Sequence, residues 1–253
     1  MMKTALITGA SSGIGRDIAR ELSARGWRLL LVARRRDRLE ALARELGTPC
    51  RIYVCDVSRE QNCRWLYGRA KEQDVSLLVN AAGFGLYGRF ADTDLNRELE
   101  MIDVNIRAVH ILTKLFLRDF MQKNEGSILN VASSAGFLPG PLLSTYYATK
   151  NYVVRLSEAI YEELRETGSA VTISCLCPGP VDTEFNQVAG AKFSIKSLTS
   201  AQVAKQAVEQ TLAGKLLIVP GAAVRLGVFA SRFAPNKPLL RIVRGIQERK
   251  GER

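Results

Sequence analysis

No stretch of this 253-residue chain approaches the ~18 to 20 consecutive apolar residues that a bilayer-spanning helix requires. The N-terminal run from Lys3 to Ile7 enters a Gly/Ser loop too soon to form the core of a signal peptide. A cytoplasmic protein is therefore expected, with a peripheral membrane visit left open. Histidine is nearly absent: the one copy, His110, falls inside a helical stretch and reads as a helix-face residue. Five cysteines (Cys50, Cys55, Cys63, Cys175, Cys177) are an odd number without zinc spacing, so no metal site is expected. Cys175 and Cys177 share a face of a β-like run, and all five read as reduced, mostly buried small hydrophobes. Acidic residues are outnumbered 25 to 36, giving a net charge of +11.

That charge is unevenly placed. From Gly221 to Arg253 there are eight basic residues against Glu248 and Glu252. A second group, Arg34, Arg35, Arg36 and Arg38, follows the second predicted strand. Such basicity suits nucleic acid, anionic lipid or a phosphorylated cofactor. No recognition motif or interleaved aromatics support nucleic acid.

With 47% hydrophobic and 24% charged side chains, the chain has enough apolar material for one sizeable core. Short apolar runs alternate with helical patterns: Lys3–Thr8, Arg28–Ala33, Arg51–Cys55, Val75–Val79, Gly126–Val131, Ala170–Leu176 and Leu216–Val219 read as strands. This pattern predicts an α/β, Rossmann-like doubly wound parallel sheet of about seven strands with helices on both faces. Residues 1–220 form a single dinucleotide-binding and catalytic domain in this reading, and 221–253 a basic amphipathic C-terminal extension.

Ligands bind beyond the carboxyl ends of such strands. The first strand leads into Gly9-Ala10-Ser11-Ser12-Gly13-Ile14-Gly15, where glycines let a pyrophosphate approach a helix N-terminus. The second ends at Ala33, where a domain selective for NAD usually carries an acid for the ribose hydroxyls. Neutral Ala33 followed by Arg34, with Arg35 as a second guanidinium, favours a 2′-phosphate and hence NADP(H). The third ends at Asp56-Val57, Asp56 serving either an adenine amino group or as the N-cap of the helix from Ser58. The fourth delivers Asn80-Ala81-Ala82-Gly83, the fifth Ser133-Ser134, and the sixth Pro178-Gly179-Pro180-Val181-Asp182-Thr183.

Tyr146 and Lys150 stand four residues apart in a helical run and share a face, phenol beside ammonium. A phenol near pKa 10 exchanges its proton poorly at neutral pH, and a neighbouring cation favours phenolate. The pair suits a tyrosine general acid/base.

Taken together, Thr8-Gly9-x-x-x-Gly13-x-Gly15, Asp56, Asn80-Ala81-Ala82-Gly83, Asn105, Ser133, Tyr146-x-x-x-Lys150 and Pro178-Gly179-x-Val181-x-Thr183 resemble the short-chain dehydrogenase/reductase family in the family's order. The family's usual Asn-Asn-Ala-Gly is Asn-Ala-Ala-Gly here, which leaves open which side chain braces that turn. The resemblance implies a catalytic tetrad of Asn105, Ser133, Tyr146 and Lys150, with Ser134 and Tyr147 as rival hydroxyls. It implies that Ser133 stabilises a developing oxyanion, Tyr146 transfers the proton, and Lys150 lowers the tyrosine pKa and holds the nicotinamide ribose. Asn105 is implied to order a water, and Val181 and Thr183 to fix the carboxamide.

The implied activity is hydride transfer between NADP(H) and a carbonyl or alcohol, read most simply as reduction of a lipophilic ketone, aldehyde or 3-oxoacyl substrate. The oxidative direction and a non-catalytic NADP-sensing regulator are the alternatives. Apolar residues in Glu184–Leu198 (Phe185, Val188, Phe193, Ile195) and in Phe137–Leu143 suggest an apolar pocket mouth. A homo-dimer or tetramer is expected, built partly on the helix after Tyr146 through Val153, Val154, Leu156 and Ile160. In the tail, Leu239, Ile242, Val243 and Ile246 form one apolar helix face opposite Arg241, Arg244 and Glu248, suited to its own domain, a partner subunit or an anionic membrane.

Overall fold

The computed structural model describes residues 2–190 and 198–251. Its frame is a parallel sheet of seven strands: β1 (Thr4–Thr8), β2 (Arg28–Ala33), β3 (Cys50–Val54), β4 (Val75–Asn80), β5 (Ser127–Val131), β6 (Thr172–Leu176) and, after a two-stranded side sheet of β7 (Val181–Asp182) and β8 (Leu198–Thr199), β9 (Leu217–Ile218). The order β3-β2-β1-β4-β5-β6-β9 reverses direction between β1 and β4, the switch point where ligands enter such sheets. The strands are apolar on both faces because helices cover both. Leu29 to Val32 and Leu77 to Val79 are almost wholly buried.

One layer holds α1 (Gly13–Ala24), α2 (Arg36–Glu45) and α8 (Ser200–Leu212), whose Ile18, Leu22, Leu39, Val203 and Val208 join the undersides of β1, β2, β4 and β6. Asp17 of α1, buried, accepts from the Ser200 hydroxyl and from Arg20, tying α1 to α8. The other layer holds α3 (Glu60–Lys71), α4 (Leu95–Ile102), α5 (Val109–Lys123) and α6 (Ser144–Glu166), packed around Phe116, Phe120 and Ile173. α8 starts on a capping box, Thr199 and Gln202 each satisfying the other's backbone N–H.

Two sequence expectations change. The helical stretch that contains His110 opens as a π-helical turn, Asp103–Ala108, before α5. Its cause is Asn105, whose side chain reaches across to the backbone of Phe84. Asp56 does not cap a helix: α3 begins at Glu60, and the Asp56 carboxylate instead accepts from Ser58 N two residues on. Of the α6 residues expected at a subunit contact, Val153, Val154 and Ile160 are buried within the chain and Leu156 is partly buried.

The C-terminal extension forms α7's distant neighbours α9 (Ala222–Ser231) and α10 (Asn236–Gly251), α7 itself being Glu184–Ala189. α10 docks on the body through Leu239, Val243 and Gln247, three positions on one helix face. Ile242 and Ile246, expected on that same face, stay exposed at its shoulder.

Candidate active site

The carboxyl ends of β1, β2, β4, β5 and β6 surround a cleft of about 380 Å3. Its floor is the Gly-rich turn after β1, compact because side chains are missing. A Cβ on Gly15 would lie 2.5 Å from Gly9 O, and one on Gly9 would lie 2.7 Å from Ala82 N. Thr8 holds the two turns together, its hydroxyl oxygen accepting from the Ala81 and Ala82 N–H groups. The N-terminus of α1 therefore points into a channel with room for a diphosphate.

One end of the cleft is cationic. Ala33 is neutral and nearly buried, as expected from the missing acid. The guanidinium that occupies the site belongs to Arg35, which donates to Ser11 Oγ (3.0 Å) and Ser12 Oγ (2.9 Å). Arg34 borders the cleft but is 62% exposed and pairs with Glu100 on α4 at 3.0 Å. Both arginines border the cleft, Arg35 turned toward the Gly-rich turn and Arg34 toward α4, because an extended chain turns alternate residues to opposite sides. Glu184, at the start of α7, spans Arg35 and Arg38, and their hydrogen bonds, that of Arg38 first, hold its carboxyl below the ordinary range. A ligand phosphate and the Glu184 carboxylate would compete for the same two guanidinium groups.

The opposite end gathers the chemistry. Ser133, Tyr146 and Lys150 all line the cleft. Ser133 is held by accepting from Ala135 N at 3.1 Å. Burial pushes the Tyr146 hydroxyl above the usual phenol range, and a hydrogen bond from Ser133 works against that rise. Lys150 donates to Val131 O at 2.9 Å, and its Nζ lies 5.8 Å from the centre of the Tyr146 ring. Burial pushes the Lys150 ammonium down to about 8. The tyrosine value thus rises where the sequence reading expected a drop, because loss of water around the phenol outweighs the Ser133 hydrogen bond.

Asn105 sits behind this group. Its amide donates to Phe84 O and Thr149 Oγ1 and accepts from Phe84 N, so the loop after β4 is bracketed to α6. Gly83 fills the gap between: a Cβ there would lie 2.9 Å from Asn105 Oδ1 and 3.3 Å from Lys150 Nζ. Asn80 turns the other way. Its side chain is buried against Thr113 and Asn130, away from the cleft, so it shapes the site through Ala81–Gly83 and not by contact.

The remaining expected cofactor residues (Ser11, Ser12, Gly13, Ile14, Asp56, Val57, Ala81, Pro178, Gly179, Val181 and Thr183) border the cleft. Thr183 sits 3.3 Å from where a Cβ on Gly13 would be, which closes the rim over the turn. Tyr147, the rival phenol, also borders it, but Gln247 of α10 donates to its oxygen and burial pushes it up to about 12. Of the apolar mouth expected after β5, Leu143 faces the cleft, while Phe137 packs against the cluster that holds Val109, Val153 and Cys175, and Leu138 joins the core. The Phe185 ring lies tilted against Tyr146, centroids 5.2 Å apart. Phe193 and Ile195 lie outside the described residues, as does the side chain of Val188.

Sequence reasoning missed four residues: Glu184, Thr149, Phe84 and Gln247. Each acts through a partner far away in the chain. Arg35, by contrast, was read as a second guanidinium, and it shares its side of the extended chain with Ala33.

Comparison with known proteins agrees with the geometry. Residues 3–193 match the short chain dehydrogenase model. The chain is 32% identical over 212 residues to an uncharacterized oxidoreductase of Staphylococcus epidermidis, covering 83% of this chain and 90% of that one. Among solved structures it resembles a short-chain dehydrogenase from Sphingobium yanoikuyae in complex with NADPH (29% identity, TM-score 0.82, 92% and 94% of the two chains). It also resembles a short chain dehydrogenase/reductase from Burkholderia phymatum in complex with NAD (28% identity, TM-score 0.82, 90% and 92%). The protein belongs to the short chain dehydrogenase family of oxidoreductases, which act on CH–OH groups.

Proposed function

We propose that this protein is an NADP(H)-dependent carbonyl reductase for a lipophilic ketone, aldehyde or 3-oxoacyl substrate. The observation that carries the reading is one cleft with Ser133, Tyr146 and Lys150 at one end and Arg35, pinned by Ser11 and Ser12, at the other. The Gly-rich turn and the span Pro178–Thr183 fit a dinucleotide, because both line the cleft and the turn is packed too tightly at Gly9 and Gly15 to carry a Cβ. Bound there, the nicotinamide supplies the hydride. Arg35, and Arg38 beside it, are suited to a 2′-phosphate in place of the Glu184 carboxylate, and Ala33 leaves nothing to repel it.

Chemistry by the chain's own residues follows from their contacts. Ser133 donates to a carbonyl oxygen as negative charge grows there. Tyr146 delivers the proton to the same oxygen. Lys150, as an ammonium in a buried site, stabilises the phenolate left behind. Asn105 positions Phe84 and α6 around that group. Phe84, Leu143, Tyr147, Phe185 and Ala189 give the substrate end an apolar lining, which supports a lipophilic substrate over a charged sugar.

The test is a screen of carbonyl compounds, from short keto-esters to long acyl chains and steroids, with NADPH and with NADH. The expected outcome is turnover that improves with apolar bulk and prefers NADPH by ten-fold or more in kcat/KM. Equal constants for the two dinucleotides, or no oxidation of NADPH with any carbonyl, would refute it. The latter result would favour a cofactor-sensing role.

A further inference from the structure

Globular helices turn their apolar residues inward. α9 does so with Val224 and Val228, yet its outward side is apolar as well. Apart from Arg225 and Gly227, every exposed residue of α9 is apolar: Ala222, Ala223, Leu226, Phe229 and Ala230. Leu226 and Phe229, with Phe233 just beyond the helix, follow at i, i+3 and i+7 and form one stripe. They are 69%, 59% and 74% exposed, and the two phenyl rings pack edge to face at 5.3 Å. Ile242 and Ile246 add an exposed shoulder on α10.

The charge around this stripe has one sign. Between Glu209 and Glu248 the chain has no acidic residue and six basic ones. Arg225 and Arg232, seven apart, run along one border of the stripe, followed by Lys237 and Arg241. All four are exposed, and none has a carboxylate partner among the described residues.

We propose that the outer side of α9, with Phe233 just beyond it, forms a docking surface for an anionic lipid bilayer. The aromatic stripe inserts at the level of the headgroups, and the arginines and lysine flank it among the lipid phosphates. A second copy of the chain is the poorer occupant. A two-fold contact would place these cations against their own copies with no carboxylate to separate them. The tail is a fit platform for such docking, because its inner side is fixed. Gln247 is 1% exposed and donates to Tyr147, its backbone oxygen accepts from Tyr87 Oη, and Val224 seats against Gly179 at the edge of the cleft. Docking brings the cleft rim to the bilayer surface. The proposal itself does not depend on the reaction catalysed there.

The experiment is flotation of the full chain with vesicles of phosphatidylcholine alone and of equal parts phosphatidylcholine and phosphatidylglycerol. Binding is expected to the mixed vesicles, to fall as salt rises, and to drop about five-fold for each of Arg225→Ser and Arg232→Ser. Phe229→Ser/Phe233→Ser should lower it further while leaving Tm nearly unchanged, since both rings are exposed. Three results would overturn the idea: no binding to mixed vesicles, equal binding to neutral ones, or full retention by the Phe double variant. So would a wild type that ignores vesicles and loses a dimer, by light scattering, in that variant.

Discussion

The two ends of the cleft are built by different means. At the end proposed for the dinucleotide the walls are backbone: Gly9 and Gly15 approach other atoms too closely for any side chain, and Thr8 bonds the N–H groups of Ala81 and Ala82. At the end proposed for the substrate the walls are side chains, Phe84, Leu143, Tyr147 and Phe185, and one of them is braced by Gln247 from the last helix. A backbone wall admits few sequences and leaves a motif. A side-chain wall admits any apolar set of suitable volume and leaves none.

The sharpest way to test that contrast is Tyr146→Phe against Tyr147→Phe. Removing the Tyr146 hydroxyl should lower kcat by about 10²- to 10⁴-fold with little change in the dinucleotide Kd. Tyr147→Phe, which removes only a wall contact to Gln247, should cost less than ten-fold in kcat and register mainly in KM and Tm. If Tyr147→Phe is the inactive variant, the two ends have been read wrongly.

Next in size is the guanidinium. Arg35→Ala should weaken NADPH by about 10- to 150-fold, the range of one bond to a charged group, with NADH within a few-fold. Arg34→Ala, whose partner is Glu100, should do much less. Titration calorimetry on both variants decides between the neighbours, and the reverse ranking would return the role to Arg34.

The Lys150 ammonium predicts a pH effect. Its value in the folded chain is about 8 against an ordinary 10.5, so the charge is present below pH 8 and lost as pH rises through it. In the reductive direction kcat/KM, which reports the free protein, should fall about ten-fold for each unit above 8. A profile flat to pH 10 would remove Lys150 from the proton path. The smallest effect concerns Glu184. Glu184→Gln removes the charge that competes for Arg35 and Arg38, so NADPH should bind a few-fold more tightly and NADH should not. Weaker NADPH binding in that variant would mean that Glu184 supports the arginines and does not oppose a phosphate.

Much of the scaffold was legible from sequence. Strands buried on both faces read as unbroken apolar runs, and Leu29–Ala33 or Leu77–Val79 need no other signal. Their ends differed by a residue or two, as at Val54, where the ladder stops before Cys55. The short pair β7 and β8 had no readable pattern. Two residues show no periodicity, and Val181↔Leu198 and Asp182↔Thr199 pair because β6 and α8 bring them together. Tyr146 and Lys150 were visible because one helix sets their spacing. Asn105 was visible as a residue type, but its engagement with Phe84 and Thr149 depends on a loop and a helix that sequence does not place side by side. The tail's periodicity showed a helix but not which apolar residues would be covered, since coverage is decided by Tyr87 and Tyr147.

Asn80 and Asn130 stand opposite one another in the β4–β5 ladder, the amide of one donating to the other and the second continuing to Ser157 on α6. In strands apolar on both faces, sliding by one residue exchanges one greasy face for another and meets little resistance from hydrophobicity. A polar pair in the middle of such a sheet acts as an alignment pin. Sliding would part the two amides and strand each in apolar surroundings, at roughly 1–3 kcal/mol apiece. Three residues beyond each pin come Gly83 and Ser133. The height at which Ser133 meets the turn that carries Gly83, Lys150's neighbour, is therefore set by the register of the two strands, well below the cleft.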